Sequence, residues 1–157
     1  MTATLHRINA ATTDAIALLK ADHDALGHLF SDYEKTHSVS DKKALVAEIC
    51  ATLSLHAQVA EEIFYPAVKA ALKGTPLAAE ASAAHAGVKS LVALVEGGEP
   101  DGKLYDAKVK ALAEHVKRHI KEEQKEVFVR ARASSLDMDE LGARMAARAD
   151  DLRARRS

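Results

Sequence analysis

The stretch DAIALLKADHDALGHLF, residues 14–30, decides the fold. Its apolar positions Ile16, Leu19, Leu26 and Phe30, continued by Tyr33, fall on a single series with His23, in alternating steps of 3 and 4. That spacing draws one stripe along a helix, the seam by which it packs into a bundle. One position of the seam, His23, holds a polar ring where a leucine is expected. The helix is expected over residues 13–36.

The same pattern recurs three times. Ser38, Val39 and Ser40 break the chain, with Ser40 read as the N-cap of a second helix over residues 41–72. Its seam is Leu45, Ile49, Thr52, His56, Val59 and Ile63. Pro66 lies inside it and removes the bond to the carbonyl of Glu62, so a kink is expected there. Gly74, Thr75 and Pro76 end that helix and open a third, with Thr75 as cap and Pro76 in the first turn. The third seam is Ala81, His85, Val88, Val92 and Val95. Residues 97–102 read as a loop. A fourth helix over residues 103–133 carries Tyr105, Val109, Leu112, Val116, His119, Glu123 and Val127. After Ser134 and Ser135, Asp137 and Glu140 form a capping-box pattern. It opens a fifth helix with Met138, Leu141, Met145 and Leu152 on one face.

Composition agrees with an all-α chain. The 157 residues contain only 7 Gly and 3 Pro, Ala makes up about a fifth, and no alternating β-branched run occurs, which argues against a sandwich, a barrel or a disordered chain. The length suits one domain, able to bury ~68–70% of its unfolded surface without staples. The expected architecture is an up-down-up-down four-helix bundle over residues 13–133. It is preceded by an N-terminal tail (1–12) and followed by a C-terminal amphipathic helix (134–157). That last helix lies against the bundle or serves a partner, and its Arg153, Arg155 and Arg156, mixed with Asp150 and Asp151, read as a solvated face. With 22 Lys+Arg against 23 Asp+Glu, the chain lacks the basic footprint of a nucleic-acid binder. No 18-residue apolar run suits a membrane. Residues 1–11 show no apolar signal core, and the single Cys50 has no internal disulfide partner, so a cytoplasmic location is expected. Nothing around Cys50 suggests an activated thiolate. No Gly-rich phosphate loop, Ser/His/Asp arrangement or Cys–Cys zinc spacing is found, and no hydrolytic or transferase motif.

The chain has 8 His against 3 Tyr and 3 Phe, and four of those histidines are placed alike. His23, His56, His85 and His119 each occupy a seam position, one per helix. Counted from the end of the bundle formed by the loops near residues 38–39 and 100, they lie at about the same height, spread over only ~6 Å at 1.5 Å per residue. Glu123, one turn beyond His119, points a carboxylate into the same layer. Five polar groups buried together each cost roughly 1–3 kcal/mol if unpaired. A cation would satisfy them jointly, with neutral imidazoles and a carboxylate as donors; a mutually hydrogen-bonded polar layer is the alternative. His115, one turn before His119, is read as ligand, supporting partner or bundle wall. His28 falls on an outer face, His6 and His37 lie in tail and loop, and Tyr65 and Tyr105 read as packed aromatics.

These segments resemble a hemerythrin-like, HHE cation-binding domain of the bacterial type over roughly residues 13–133. The matching pieces are His23 in the opening stretch, His56 in LHAQVAEEIFYPAV, His85 in AAHAGVKSLV, and His119 with Glu123 in EHVKRHIKEEQKEVF. The resemblance implies a non-haem di-iron centre with His and carboxylate ligands that reacts with or senses dioxygen, peroxide, nitric oxide or iron. In such a centre His23 and His56 would hold one metal, His85 and His119 the other, and Glu123 would bridge. Three positions depart from the pattern. Ala60 stands where the family has a bridging carboxylate four residues after the second-helix His. Lys89 stands where oxygen-carrying members have a further His, and Val129 where the bacterial pattern usually has Pro. Reversible oxygen carriage is therefore not expected. Glu61 is present, but lies ~140° around the helix from His56; a π-bulge would swing it inward, and otherwise Glu61 and Glu62 are surface charges.

Two functions follow. The first is an iron protein that binds, senses or detoxifies a small oxidant or gas, or handles iron. The second is a bundle holding one metal, a zinc ion or none, working as an interaction module whose fifth helix docks a partner or a second copy. Ala60→Glu is expected to raise iron occupancy, measured by metal analysis. An unchanged occupancy would show that the missing bridge is not the limiting defect.

Overall fold

A computed structural model describes residues 14–98 and 103–156; the tail with His6, and the centre of the 97–102 loop, lie outside the described residues. Helix α1 (Ala15–Lys35) begins at Asp14, whose carboxylate accepts the Ala17 N–H at 2.8 Å. Helix α2 spans residues 39–71 and holds a π-helical turn, Ala60–Phe64, within it. Its N-cap is Ser38, accepting from the Asp41 N–H, and not Ser40. Ser38 is already extended, so the helix starts two residues earlier than the sequence pattern suggested. Helix α3 is Leu77–Glu96 with Pro76, and not Thr75, at the N-cap position, although Thr75 Oγ1 accepts the Leu77 N–H. Helix α4 covers residues 103–132 with a second π turn, Glu123–Val127. Helix α5 (Met138–Arg156) is capped by Asp137, which accepts the backbone N–H groups of Asp139 and Glu140.

Pro66 marks the first π turn. It has no N–H for the carbonyl of Glu62, and the Tyr65 N–H instead reaches the carbonyl of Ala60, five residues back. The expected break therefore takes the form of a widened turn. The second π turn has no proline near it, and nothing in the sequence pattern announced it.

Helices α1 to α4 form the up-down-up-down bundle. The ring closes between α1 and α4, where Tyr33 donates to Asp106 at one end and Arg132 pairs with Asp14 at 3.1 Å at the other. Inside, the apolar residues form two clusters. One holds Leu19, Val59, Ala81 and Val127; the other holds Leu26, Leu53, Val88 and Val116. On every helix the change of cluster falls at the seam histidine, with Glu123 beside it on α4. The five polar residues thus divide the core into two apolar halves.

The fifth helix packs on α1 and α2. Leu141, Met145 and Leu152 are buried in the first cluster, so the apolar face of α5 is used within the chain. Its charged face is tied down as well. Arg148 grips Glu62 through Nε at 2.8 Å and through a second nitrogen at 3.3 Å, and also Asp151 at 2.7 Å. Arg156 donates to the carbonyl of Ala51. Among the described residues, no helix is long and apolar enough to cross a membrane.

Met145 is only 1% exposed. Met145→Ala is expected to cost about 2–5 kcal/mol through the cavity it leaves. A single cooperative thermal transition, several degrees lower, would show that α5 unfolds with the bundle. A separate low-temperature transition would show that it does not.

Candidate metal centre

All five residues singled out in the seams are buried: His23, His56, His85 and His119 at 4–6% exposure and Glu123 at 2%. Their rings form a chain across the bundle. Centroids are 5.1 Å apart for His23 and His56, 5.6 Å for His56 and His85, and 4.4 Å for His85 and His119. Glu123 lies among them, with one oxygen 3.1 Å from His23 Nε2 and the other 3.4 Å from His119 Nε2. Two triads result, His23 with His56 and Glu123, and His85 with His119 and Glu123. In each, three donor atoms lie within 4.8 Å of one another. Both triads share Glu123.

Surrounding groups fix these side chains. Asp22 accepts from His56 Nδ1 at 2.9 Å, which leaves the Nε2 lone pair directed into the layer, as a carboxylate behind a metal-ligating His does. The Gln124 side-chain amide is hydrogen-bonded to His23 Nδ1 at 3.1 Å, and Phe128 stacks on the His23 ring. Tyr65 donates its hydroxyl hydrogen to Glu123 and lies 3.2 Å from His85 Nε2. Asp22 and Gln124 were not found by sequence reasoning, because their partners are 34 and 101 residues away. Their one local signal is adjacency to His23 and Glu123.

The other named residues fall into place around the layer. The π turn brings Glu61 toward the site, but only to its rim. Its Oε1 is 3.6 Å from His85 Nδ1, its side chain remains 40% exposed, and Ser82 donates to its other oxygen. Glu62 faces α5 and Arg148. The methyl of Ala60 is fully buried in the first cluster. His115 is half-buried on α4, its ring where a Cβ at Gly87 would meet it at 3.0 Å; it belongs to the helix contact and to neither triad. His28, His37 and Lys89 are exposed, as is Val129. Tyr65 is at the site, whereas Tyr105 packs in the second cluster. Cys50 is buried, which pushes its thiol up to about 11, with the charge of Glu96 adding to the effect.

Electrostatics prepares the layer for a cation. Burial lowers the His85 pKa to about 3, helped by neighbouring His119 and His56, so its ring is neutral at pH 7. Burial also lowers His23, against the opposing pull of Glu123. For His56 burial works in the same direction, but the hydrogen bond and charge of Asp22, with Glu123, outweigh it and raise the pKa. For Glu123 burial favours the neutral acid. The hydrogen bonds from His119 and His23, and the charges of His119 and His56, prevail and hold it well below the usual carboxylate range. An ionised carboxylate thus sits in one layer with two imidazoles, His23 and His85, whose neutral form burial favours, and a third, His56, whose protonated form Asp22 and Glu123 favour.

Among the described residues, Nε2 of His23, His56 and His119, Nδ1 of His85 and Oε1 of Glu123 are buried without a well-aligned hydrogen bond, and their close polar neighbours are one another and, for His85, Glu61 at the rim. Nitrogen and carboxylate oxygen at this spacing suit a divalent transition-metal ion.

The comparisons with known proteins agree with this geometry. Residues 14–131 match the Hemerythrin HHE cation binding domain. A similar fold is seen in the crystal structure of a hemerythrin HHE cation-binding domain-containing protein from Mycobacterium kansasii, at 23% identity and a TM-score of 0.80, covering 91% of this chain and 89% of that one. No curated protein matches the chain. The chain belongs to the hemerythrin HHE cation-binding domain family, and its fold is that of the family.

The depressed His85 pKa predicts how the metal-free protein responds to acid. Between the ordinary value of 6.5 and the folded value of about 3, the unfolded chain binds a proton at this residue that the folded chain does not, so stability falls as pH falls. The melting temperature of metal-free protein should drop from pH 6.5 toward pH 4, and His85→Leu should drop less steeply. Equal slopes would contradict the assignment.

Proposed function

We propose that this chain holds iron between its two buried triads and presents it to a small oxidant or gas. The observation that carries the reading is the shared carboxylate. Glu123 is within reach of His23 on one side and His119 on the other, while the inner atoms of the layer lack well-aligned hydrogen bonds. His23 and His56 would hold one ion, and His85 and His119 the other, with Glu123 between them. Iron bound there would supply one-electron chemistry toward dioxygen, peroxide or nitric oxide.

The chain's own groups set the conditions for that chemistry. Asp22 keeps the His56 ring oriented, and Tyr65 holds a proton at Glu123. Burial raises the Tyr65 pKa, and the negative Glu123 raises it further, so that proton stays on the hydroxyl. A small pocket of about 10 Å³ is lined by the four histidines together with Leu26, Leu53, Val88 and Val116, the scale of a single water-sized molecule. Those walls suit a small neutral guest and disfavour a bulky or charged one.

Ala60 favours a second reading for part of this site. Where relatives place a second bridge, this chain offers a buried methyl, and Glu61 reaches only the rim of the layer. A single ion, iron or zinc, held by either triad is the form that reading takes.

Metal analysis with an optical spectrum separates the two, on protein purified without chelator or added metal. Iron near two per chain with an oxo-to-iron band is the expected result. One ion per chain, or zinc, would favour the second reading. A folded protein that takes up no metal would overturn both.

A further inference from the structure

A cleft of about 40 Å³ reaches the layer from another side, between α3 and the second π turn of α4. His119 and Glu123 form part of its lining, and both carry a buried atom without a well-aligned hydrogen bond, His119 Nε2 and Glu123 Oε1. The other polar side chains on its wall are all carboxylates: Glu80 from α3, and Glu122 and Glu126 from α4. All three are exposed, and among the described residues none of the three is engaged in an ion pair. The cleft therefore leads from an acidic rim without ion pairs to two buried side chains that belong to the triads.

The contrast with the small pocket gives this meaning. Apart from the four histidines, the walls of that pocket are apolar and impose a desolvation cost on a hydrated ion. A cleft lined with charge of one sign concentrates counter-ions and raises their association rate by about 10–10³-fold. We infer that the acidic cleft is the loading route for a hydrated divalent cation, with Glu80, Glu122 and Glu126 attracting it and His119 and Glu123 receiving it. The inference rests on the metal reading given above. Among the described residues, only the two core triads bring three donors within 4.8 Å. The rim therefore steers a cation and does not store one.

Stopped-flow uptake of Co²⁺ by the metal-free full chain tests the route. The variant Glu80→Gln/Glu122→Gln/Glu126→Gln is compared with a charge-matched control, Asp24→Asn/Glu34→Gln/Glu114→Gln, whose exposed carboxylates do not line the cleft. The cleft variant is expected to load about 10-fold or more slowly at low ionic strength, with the gap closing as salt is added. Its final Co²⁺ stoichiometry and its melting temperature should equal those of the wild type. Loading at the wild-type rate, or slowing no greater than in the control, would overturn the route while leaving the metal reading intact. A wild-type chain that takes up no Co²⁺ would overturn the metal reading and the route with it.

Discussion

One ionised carboxylate buried in the middle of a helical core governs this structure. Glu123 is 2% exposed, and an uncompensated charge at that depth would cost several kcal/mol. The surrounding side chains are arranged to offset that cost. His23 and His119 approach its two oxygens, and Tyr65 donates to it. These partners in turn need support, which Gln124, Phe128 and Asp22 supply around the rings. The apolar clusters flank the layer on either side and hold the four helices in register.

Much of this was legible in the sequence, for a simple reason. Steps of 3 and 4 place residues on one helical face whatever the rest of the chain does, so the seams and their four histidines could be read directly. Counting residues from a shared end of the bundle then put them at one height, because the rise per residue is constant. The same arithmetic failed where the helix is no longer regular. The π turns at Ala60–Phe64 and Glu123–Val127 change the angular step, and only the first has a proline to betray it. Partners on other helices were also hidden: Asp22 on His56, Gln124 on His23, and Tyr65 on Glu123 become neighbours only when the bundle closes. Glu62 read as a surface charge, yet it is gripped by Arg148 from α5.

The fifth helix therefore has a place in the site's construction. Its apolar face is buried against α1 and α2, and Arg148 holds the residue next to Glu61 within the first π turn. Both π turns pack into the first apolar cluster, one bringing Glu61 to the rim beside His85 and the other carrying Glu123 itself. Distorted turns of this kind concentrate at functional sites. Two cavities adjoin the layer, a small pocket lined by the four histidines and apolar side chains and a cleft with an acidic rim.

The central claim is that the buried donors are arranged to be satisfied by a metal ion. Calorimetric melting of metal-free protein, with and without Fe²⁺ under anaerobic conditions, tests it most directly. An ion that binds only the folded state at 100 times its dissociation constant adds about 2.7 kcal/mol. For a chain of this size that corresponds to a rise of about 5–10 °C in melting temperature. Such a rise, lost in Glu123→Ala, is the expected result. A melting temperature that does not move with added metal would contradict the account.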